Sequence, residues 1–176
     1  GLSPDGGLFL PESLPQFSLS EIEAMAKTGY AGRAVAVLSR FLTDFSEDEL
    51  REYVSRAYAP EKFPPKAVAP VVSLDENAHI LELFHGPTCA FKDFALQLLP
   101  FLLTASLRKT GCDKTVVILV ATSGDTGSAV AHGFHNVPGV DVVVLYPEGK
   151  ISRLQECQMT ALGGNTYPLR VAGTFN

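Results

Sequence analysis

The chain has 176 residues, of which 46% are hydrophobic and 19% are charged, and its formal net charge is -5 at pH 7. This composition is typical of a folded globular protein and does not favour disorder. The negative charge gives no electrostatic reason to expect binding to nucleic acid or to an anionic membrane surface. The longest strongly apolar run, residues 115–121, is far too short to span a bilayer.

A Pro-rich stretch at 60–70 separates two regions with different patterns. Because prolines break helices, this stretch indicates a connection between two units. The sequence therefore predicts a mostly helical N-terminal region at 1–70 and an α/β domain at 71–176.

Two Ser-x-x-Glu patterns in the first region predict helix starts. The pairs are Ser20 with Glu23 and Ser46 with Glu49, each ahead of apolar residues at helical spacing. Residues 31–42, between the two pairs, carry apolar side chains at the same spacing and predict another helix.

The second region alternates between strand and helix patterns. Continuous, mostly β-branched runs are typical of strands buried on both faces, and Pro100 should kink its helix or shift the helix start. Strands that alternate with helices imply right-handed crossovers and a parallel sheet. The predicted elements are strand 79–84, helix 93–109, strand 115–121, helix 126–136, strand 141–146, helix 152–162 and strand 165–171.

Lys92 is unusually placed for a solubilising charge, because it lies between Phe91 and Asp93 at the start of an apolar run. A lysine held in apolar surroundings loses part of its preference for the charged form, which makes its amine available as a nucleophile for Schiff-base chemistry. The alternative is that Lys92 simply extends its charged end into solvent from a helix start.

A glycine-rich stretch, residues 121–128, follows a predicted buried strand and opens a predicted helix. Gly124 and Gly127 permit a tight turn, and the free amides of a helix start favour a carboxylate or a phosphate. Ligands also bind at the carboxyl ends of parallel strands. The spacing is neither a dinucleotide fingerprint nor a P-loop, and a simple turn remains the alternative. The hydroxyls that could assist an anion here are those of Thr122, Ser123 and Thr126.

The stretch 146–152 repeats this layout, with a strand end, a glycine turn and the serine of a capping box, Ser152. Lys150 and Arg153 lie nearby. Cations in a first turn oppose the helix dipole, so these two side chains either hold a second anion or are solvated at the helix start.

Three cysteines, Cys89, Cys112 and Cys157, are widely spaced and lie outside any Cys-x-x-Cys frame. We interpret them as reduced thiols of a cytoplasmic protein, and neither as a disulfide framework nor as a metal site. His132 and His135 form a His-x-x-His pair without a third ligand nearby, so we expect no metal there.

Together these motifs resemble the threonine synthase family, in its longer microbial and fungal form, along nearly the whole chain. The matching stretches are Pro4-Asp-Gly-Gly-Leu-Phe9, Glu82-Leu-Phe-His-Gly-Pro-Thr88, Ala90-Phe-Lys-Asp-Phe94, Ala121-Thr-Ser-Gly-Asp-Thr-Gly-Ser128, Tyr146-Pro-Glu-Gly-Lys150, Gln155-Glu156, Gln158-Met-Thr160, Leu162-Gly-Gly164 and Gly173-Thr-Phe175.

The resemblance implies a pyridoxal-phosphate enzyme of fold type II, the tryptophan-synthase-like fold, with a three-layer αβα unit. Lys92 matches the family's Schiff-base lysine. The resemblance implies that the loop from Ser123 to Thr126, with Thr122 before it and Gly124 within it, receives the substrate carboxylate. It also implies that Asp125 lies near the ring oxygen of the cofactor, with Ser123 beside it. The leaving phosphate is expected at Lys150, Ser152 and Arg153.

The implied reaction converts O-phosphohomoserine and water to L-threonine and phosphate, with Lys92 as the base. Two alternatives remain open. One is a phospho-lyase of the same family that acts on phosphorylated hydroxy amino acids without making threonine. The other is a non-catalytic, truncated relative that acts as an interaction module.

Both ends of the chain look cut, because it begins inside a turn-forming sequence without an initiating Met and stops just after a strand-like run. The resemblance implies that the loop for the cofactor phosphate lies beyond residue 176. We therefore expect this portion alone to be inactive, with the missing C-terminal half of the same enzyme as its partner and a small phosphorylated amino acid as its ligand.

Overall fold

The computed structural model of the chain describes residues 3–173. These divide into two compact units, the first ending at Val54 and the second beginning at Ser55. The predicted boundary at residue 70 stays a prediction. The motif positions 174 and 175 lie outside the described residues. Within 3–173, no helix combines the length and the hydrophobicity that crossing a membrane requires.

Helices dominate the first unit. The helices are α1 (Leu19–Ala26), α2 (Tyr30–Phe41) and α3 (Glu47–Ala57), of which α3 spans the boundary between the units. An ion pair between Arg40 of α2 and Glu21 of α1 joins the first two helices. The positions of α2 and α3 confirm the helices predicted at 31–42 and after Ser46.

The predicted cap of α1 at Ser20 is wrong, because the helix begins two residues earlier. Ser18 is the N-cap, and its hydroxyl accepts a hydrogen bond from the N–H of Glu21 while the Glu21 carboxylate accepts from the N–H of Ser18. Both serines have a glutamate three residues later, so the pattern alone does not distinguish them. A cap at Ser18 places Phe17 and Ile22 at the two positions of a hydrophobic staple, which fixes how the chain enters the helix.

The second unit opens with a short antiparallel ribbon made of β1 (Val71–Ser73) and β2 (His79–Leu81). Sequence analysis did not predict β1, which has only three residues. The predicted helix at 93–109 is divided into α4 (Asp93–Leu96) and α5 (Leu99–Lys109). Pro100 lies in the first turn of α5, where its missing N–H leaves no bond unmade, so its predicted effect on the helix start is confirmed.

Three parallel strands form the main sheet, and they neighbour one another in the order of the chain. This confirms the predicted parallel sheet and the α/β class. The strands and their crossover helices are β3 (Val116–Ala121), α6 (Asp125–Gly133), β4 (Val140–Pro147), α7 (Arg153–Thr160) and β5 (Thr166–Val171).

The sheet has one covered face and one open face within residues 3–173. Right-handed crossovers between successive neighbours place α6 and α7 on the same face, and the two helices pack against each other. That face holds a core of fully or nearly fully buried side chains, including Val142, Val144, Phe134 and Met159. On the outer face, the apolar residues of β4 are half-buried and those of β3 and β5 remain exposed: Val117 (59%), Leu119 (66%), Tyr167 (50%) and Leu169 (51%).

The prediction that these strands are buried on both faces is therefore wrong for the described residues. An unbroken run of β-branched residues carries no alternation, so it cannot indicate which face is covered. The second helical layer of the predicted three-layer unit is not among residues 3–173.

Candidate active site

The carboxyl ends of β3 and β4 lie side by side, because Ala121 pairs with Leu145 at the end of the parallel register. The two chain segments that leave these ends therefore emerge at the same edge of the sheet. We call residues 122–127 the glycine loop and residues 148–152 the β4–α7 loop. Both predicted anion-binding segments lie at this edge.

Thr122 shapes the glycine loop from inside. Its side chain is buried, and its hydroxyl oxygen accepts hydrogen bonds from the N–H groups of Gly124 and Gly127, both at 2.9 Å. Gly124 has a φ of 140°, a conformation that other residues rarely adopt. A Cβ atom at Gly124 would lie 2.5 Å from Nε2 of Gln155, so the loop tolerates no side chain there.

The other predicted loop residues lie around the start of α6. Ser123 and Asp125 are exposed and Thr126 is half-buried. The N–H groups of Asp125 and Thr126 belong to the first turn of the helix, where the helix itself supplies no acceptor. Hydroxyls and N–H groups arranged in this way suit a carboxylate or a phosphate.

The β4–α7 loop ends in the capping box predicted from the sequence. Ser152 is the N-cap of α7, and its hydroxyl accepts from the N–H of Gln155. Gly149 makes the turn with a φ of 65°. Lys150 and Arg153 are both exposed beside this helix start, where their charges oppose the helix dipole.

The segment that carries Lys92 is fixed by the residue next to it. Asp93 is completely buried, and its two carboxylate oxygens accept from the N–H and from the hydroxyl of Thr88, each at 2.8 Å. A Cβ atom at Gly86 would lie 2.5 Å from this carboxylate, so the turn closes tightly on Asp93. Lys92 itself is half-buried, and its Nζ lies 4.2 Å from the centre of the Phe91 ring. We call residues 86–93 the lysine turn.

Two glutamines of α7 connect the segments. The Gln155 amide donates through Nε2 to Oδ1 of Asp125 at 2.7 Å, and the Gln158 amide donates to the carbonyl of Thr88 at 3.3 Å. The structure therefore brings the lysine turn, the glycine loop and the β4–α7 loop together around one helix.

Sequence reasoning did not include Gln155, Gln158, Thr88 or Asp93 among the site residues. The available signal was the spacing of the two glutamines. Residues three apart lie on the same face of a helix, so Gln155 and Gln158 had to point in a similar direction.

His132 interacts electrostatically with Asp93 of the lysine turn, and its pKa is shifted in the folded protein. Burial lowers the pKa of its imidazole below the usual value, while the Asp93 carboxylate acts in the opposite direction and raises it. His135 and Lys62 add smaller repulsions that lower the pKa further. The neutral form of His132 is therefore favoured in the folded protein.

The fold and the site define an α/β protein with a candidate lysine nucleophile and two candidate anion-binding loops at the carboxyl edge of a parallel sheet. Residues 1–58 match a family model described as the N terminus of threonine synthase. Over its whole length the chain is 46% identical to the threonine synthase of Escherichia coli, of which it covers 39%, and 42% identical to that of Pseudomonas aeruginosa, of which it covers 37%. Over its whole length, the chain is similar to the N-terminal portion of threonine synthases.

Solved structures agree with this placement. The PLP-bound threonine synthase from Brucella melitensis is 39% identical and superposes with a TM-score of 0.89, over 99% of this chain and 37% of that one. The yeast threonine synthase is 38% identical with a TM-score of 0.90, again over 99% of this chain and 37% of the other. The chain thus spans less than two fifths of the length of these relatives.

Proposed function

We propose that the protein acts as a threonine synthase, which converts O-phosphohomoserine and water to L-threonine and phosphate with pyridoxal phosphate held by Lys92. The observation that carries the proposal is the arrangement around α7. Its two glutamines hold the lysine turn and the glycine loop next to each other, in a chain that superposes on a PLP-bound threonine synthase.

The residues present fit such a cofactor. Lys92 follows a turn that the buried Asp93 makes rigid, so its backbone has a fixed position from which the amine can reach a carbonyl group. Gly86 and Gly124 keep side chains away from the adjacent turns. When bound, the cofactor would supply the electron sink that stabilises negative charge on the substrate α-carbon.

Lys92 has two roles in this proposal. It would attach the cofactor covalently, and as a free amine it would remove the protons at the α- and β-carbons of the substrate. Asp125, with Ser123 beside it, would lie near the ring oxygen of the bound cofactor.

The two loops divide the anionic ends of the substrate between them. The hydroxyls of Ser123 and Thr126 and the first-turn N–H groups of Asp125 and Thr126 bind the carboxylate. Gly124 contributes the close approach of its backbone, because its N–H donates to Thr122, which keeps this loop in shape. Lys150, Ser152 and Arg153 offer charges and a hydroxyl to the phosphate, which must be stabilised as it leaves.

Borohydride trapping tests the attachment of the cofactor. The full-length gene product is incubated with pyridoxal phosphate, reduced and mapped by mass spectrometry. We expect a selective label on Lys92, no label in Lys92→Ala, and an unchanged label in Lys114→Ala, which replaces an exposed lysine. Absence of a selective label at Lys92 in the full-length product would refute the proposal.

The products decide between the related activities. The relatives compared above are named threonine synthases, which favours this activity over a phospho-lyase and over a non-catalytic module. Incubation with O-phosphohomoserine should release threonine and phosphate in equal amounts. Phosphate without threonine would identify a phospho-lyase, and neither product would support the interaction module.

The partners and location follow from the same proposal. The ligand is a small phosphorylated amino acid, with no role for nucleic acid or membrane, and the macromolecular partner is the remaining part of the same enzyme. The open face of the sheet, with Leu119 and Tyr167 exposed on it, is the surface that we expect this remaining part to cover. We retain the cytoplasm as the proposed location, on the interpretation of the cysteines as reduced thiols.

A further inference from the structure

Within residues 3–173, three helices begin with a capping box, and one of the three has a different residue type at its third helical position. In α1 and α3 a glutamate occupies the third helical position, Glu21 after Ser18 and Glu49 after Ser46. In α7 the corresponding position after Ser152 is a glutamine, Gln155. Either residue can accept the hydrogen bonds of a capping box, so the choice of glutamine calls for a second reason.

The second reason is the donor end of the amide. Oε1 of Gln155 accepts from the N–H of Ser152 at 3.1 Å and from its hydroxyl at 2.9 Å, as a glutamate would. Nε2 donates to the carboxylate of Asp125 at 2.7 Å, which a glutamate carboxylate cannot do. The donors of Ser152 on one side and the carboxylate of Asp125 on the other determine which end of the Gln155 amide is oxygen and which is nitrogen.

Gln155 has little freedom to move within this contact. Its side chain lies against the backbone of Gly124, where even one added carbon atom would be 2.5 Å from Nε2. The hydroxyl of Ser128 in α6, which donates to the carbonyl of Gly124 at 3.1 Å, also lies 3.4 Å from the carbonyl oxygen of Gln155. The start of α6 and the first turn of α7 are thus connected through both the side chain and the backbone of one residue.

We propose that Gln155 is a positioning residue that sets the orientation of Asp125 and, through it, the register between the glycine loop and the β4–α7 loop. The inference rests on the proposed function, in which these two loops bind opposite ends of one substrate. Asp125 is exposed at the first position of α6, so without a partner its carboxylate would adopt several rotamers. A neutral donor fixes the carboxylate and leaves its negative charge in place.

Gln155→Glu in the full-length gene product tests this role, because it preserves the capping box and changes only the donor. The two facing carboxylates repel each other unless they share a proton. We expect kcat/KM for the phosphorylated substrate to fall by about 10- to 100-fold at pH 8, the range that follows from displacing a binding group by roughly 1 Å. Part of this loss should be recovered as the pH falls towards 6, relative to wild type measured over the same range.

A role confined to helix stability predicts a different result. It would lower the thermal midpoint and reduce activity by the same factor at every pH. That outcome, or activity within about twofold of wild type throughout, would overturn the proposal. Glu21→Gln exchanges the same two residue types at the same position of α1 and should leave the pH profile unchanged.

The double variant Gln155→Glu with Asp125→Asn provides a readout that does not depend on activity. The asparagine amide introduced by Asp125→Asn can donate to the carboxylate introduced by Gln155→Glu, so the hydrogen bond returns with donor and acceptor exchanged. We expect the thermal midpoint of the double variant to exceed that of Gln155→Glu alone, and no gain would refute the coupling. If the wild-type protein were inactive, that result would count against the proposed function. The comparison of thermal midpoints would still test the hydrogen bond between Gln155 and Asp125.

Discussion

Asp93, the residue next to the predicted Schiff-base lysine, carries the carboxylate of the lysine turn and is completely buried. Burying a charged group is costly unless hydrogen bonds compensate for lost water. The N–H and hydroxyl of Thr88 supply that compensation, one for each oxygen. These hydrogen bonds fix the backbone of the turn at Lys92. Asp93 therefore determines how precisely the candidate nucleophile is placed.

Asp93→Asn should destabilise the full-length protein. The asparagine amide retains one acceptor oxygen but turns its NH2 group towards a donor, so one hydrogen bond is lost and a buried polar group is left unmatched. The expected decrease in the free energy of unfolding is about 1–3 kcal/mol, measured by urea denaturation.

Asp113→Asn makes the same chemical change at an exposed site and should alter stability by less than about 0.5 kcal/mol. Equal stability of Asp93→Asn and wild type would show that the hydrogen bonds of Thr88 do not hold the turn.

At the scale of elements, α7 is tied to two strands of the sheet as well as to the candidate site. Oε1 of Glu156 accepts from the Arg170 guanidinium of β5 at 2.6 Å and from the Tyr146 hydroxyl of β4 at 3.1 Å. These contacts, with that of Arg170 first, lower the pKa of Glu156 below its ordinary value of 4.5. Gln155 and Gln158 of α7 therefore contact the glycine loop and the lysine turn, and Glu156 binds the helix to the sheet.

Glu156→Gln should change how stability depends on pH. A carboxylate with a lowered pKa in the folded state stabilises the protein above the unfolded-state value, and this contribution is lost as the pH falls through the folded-state pKa. Wild type should therefore be more stable than the variant at pH 7, and the difference should shrink below about pH 4.5. Urea unfolding at a series of pH values measures it.

Glu148→Gln is the matched control, because Glu148 lies at 3.6 Å from the same arginine and is exposed. It should have the smaller effect at pH 7, since exposed ion pairs contribute little. A stability difference for Glu156→Gln that is constant with pH would contradict the assigned cause of the pKa shift.

Most elements could be predicted from the sequence. Strands β3, β4 and β5 begin and end within one residue of the predicted limits, because β-branched runs are bounded by residues that end strands. Lys92 and the glycine loop were proposed as site residues from residue type, neighbours and the family resemblance, and their roles stay predictions. The connections between them could not be predicted, since Gln158 and Thr88 are 70 positions apart and only the fold brings them together.

At the scale of the whole molecule, the uncovered face of the sheet is the least expected feature. Monomeric proteins rarely leave a contiguous apolar patch open to water. Val117, Leu119, Tyr167 and Leu169 form such a patch on the two outer strands, β3 and β5, with half-buried residues of β4 between them. Their exposure is consistent with a portion that spans less than two fifths of its relatives' length.

Hydroxyl-radical footprinting of the full-length gene product tests whether this face is covered. Tyr167 is 50% exposed in the described portion, and its ring is a sensitive reporter of contact with water. We expect Tyr167 and Leu119 to react several-fold more slowly in the native full-length protein than in strong denaturant. Equal rates in the two conditions would show that the face stays open.

The order of the strands in the sheet also determines when each strand can pair during synthesis of the chain. The second and third strands of the main sheet, β4 and β5, each pair with the strand synthesised just before them, as Val140 with Val116 and Thr166 with Val142. Closing short segments of chain costs little entropy, so the sheet can assemble progressively while the ribosome is still extending the polypeptide. The helices cover one face at each step, but the other face has no cover from residues 3–173. The nascent sheet therefore presents an apolar surface to other chains, and this is the stage of synthesis at which a chaperone would be of most use.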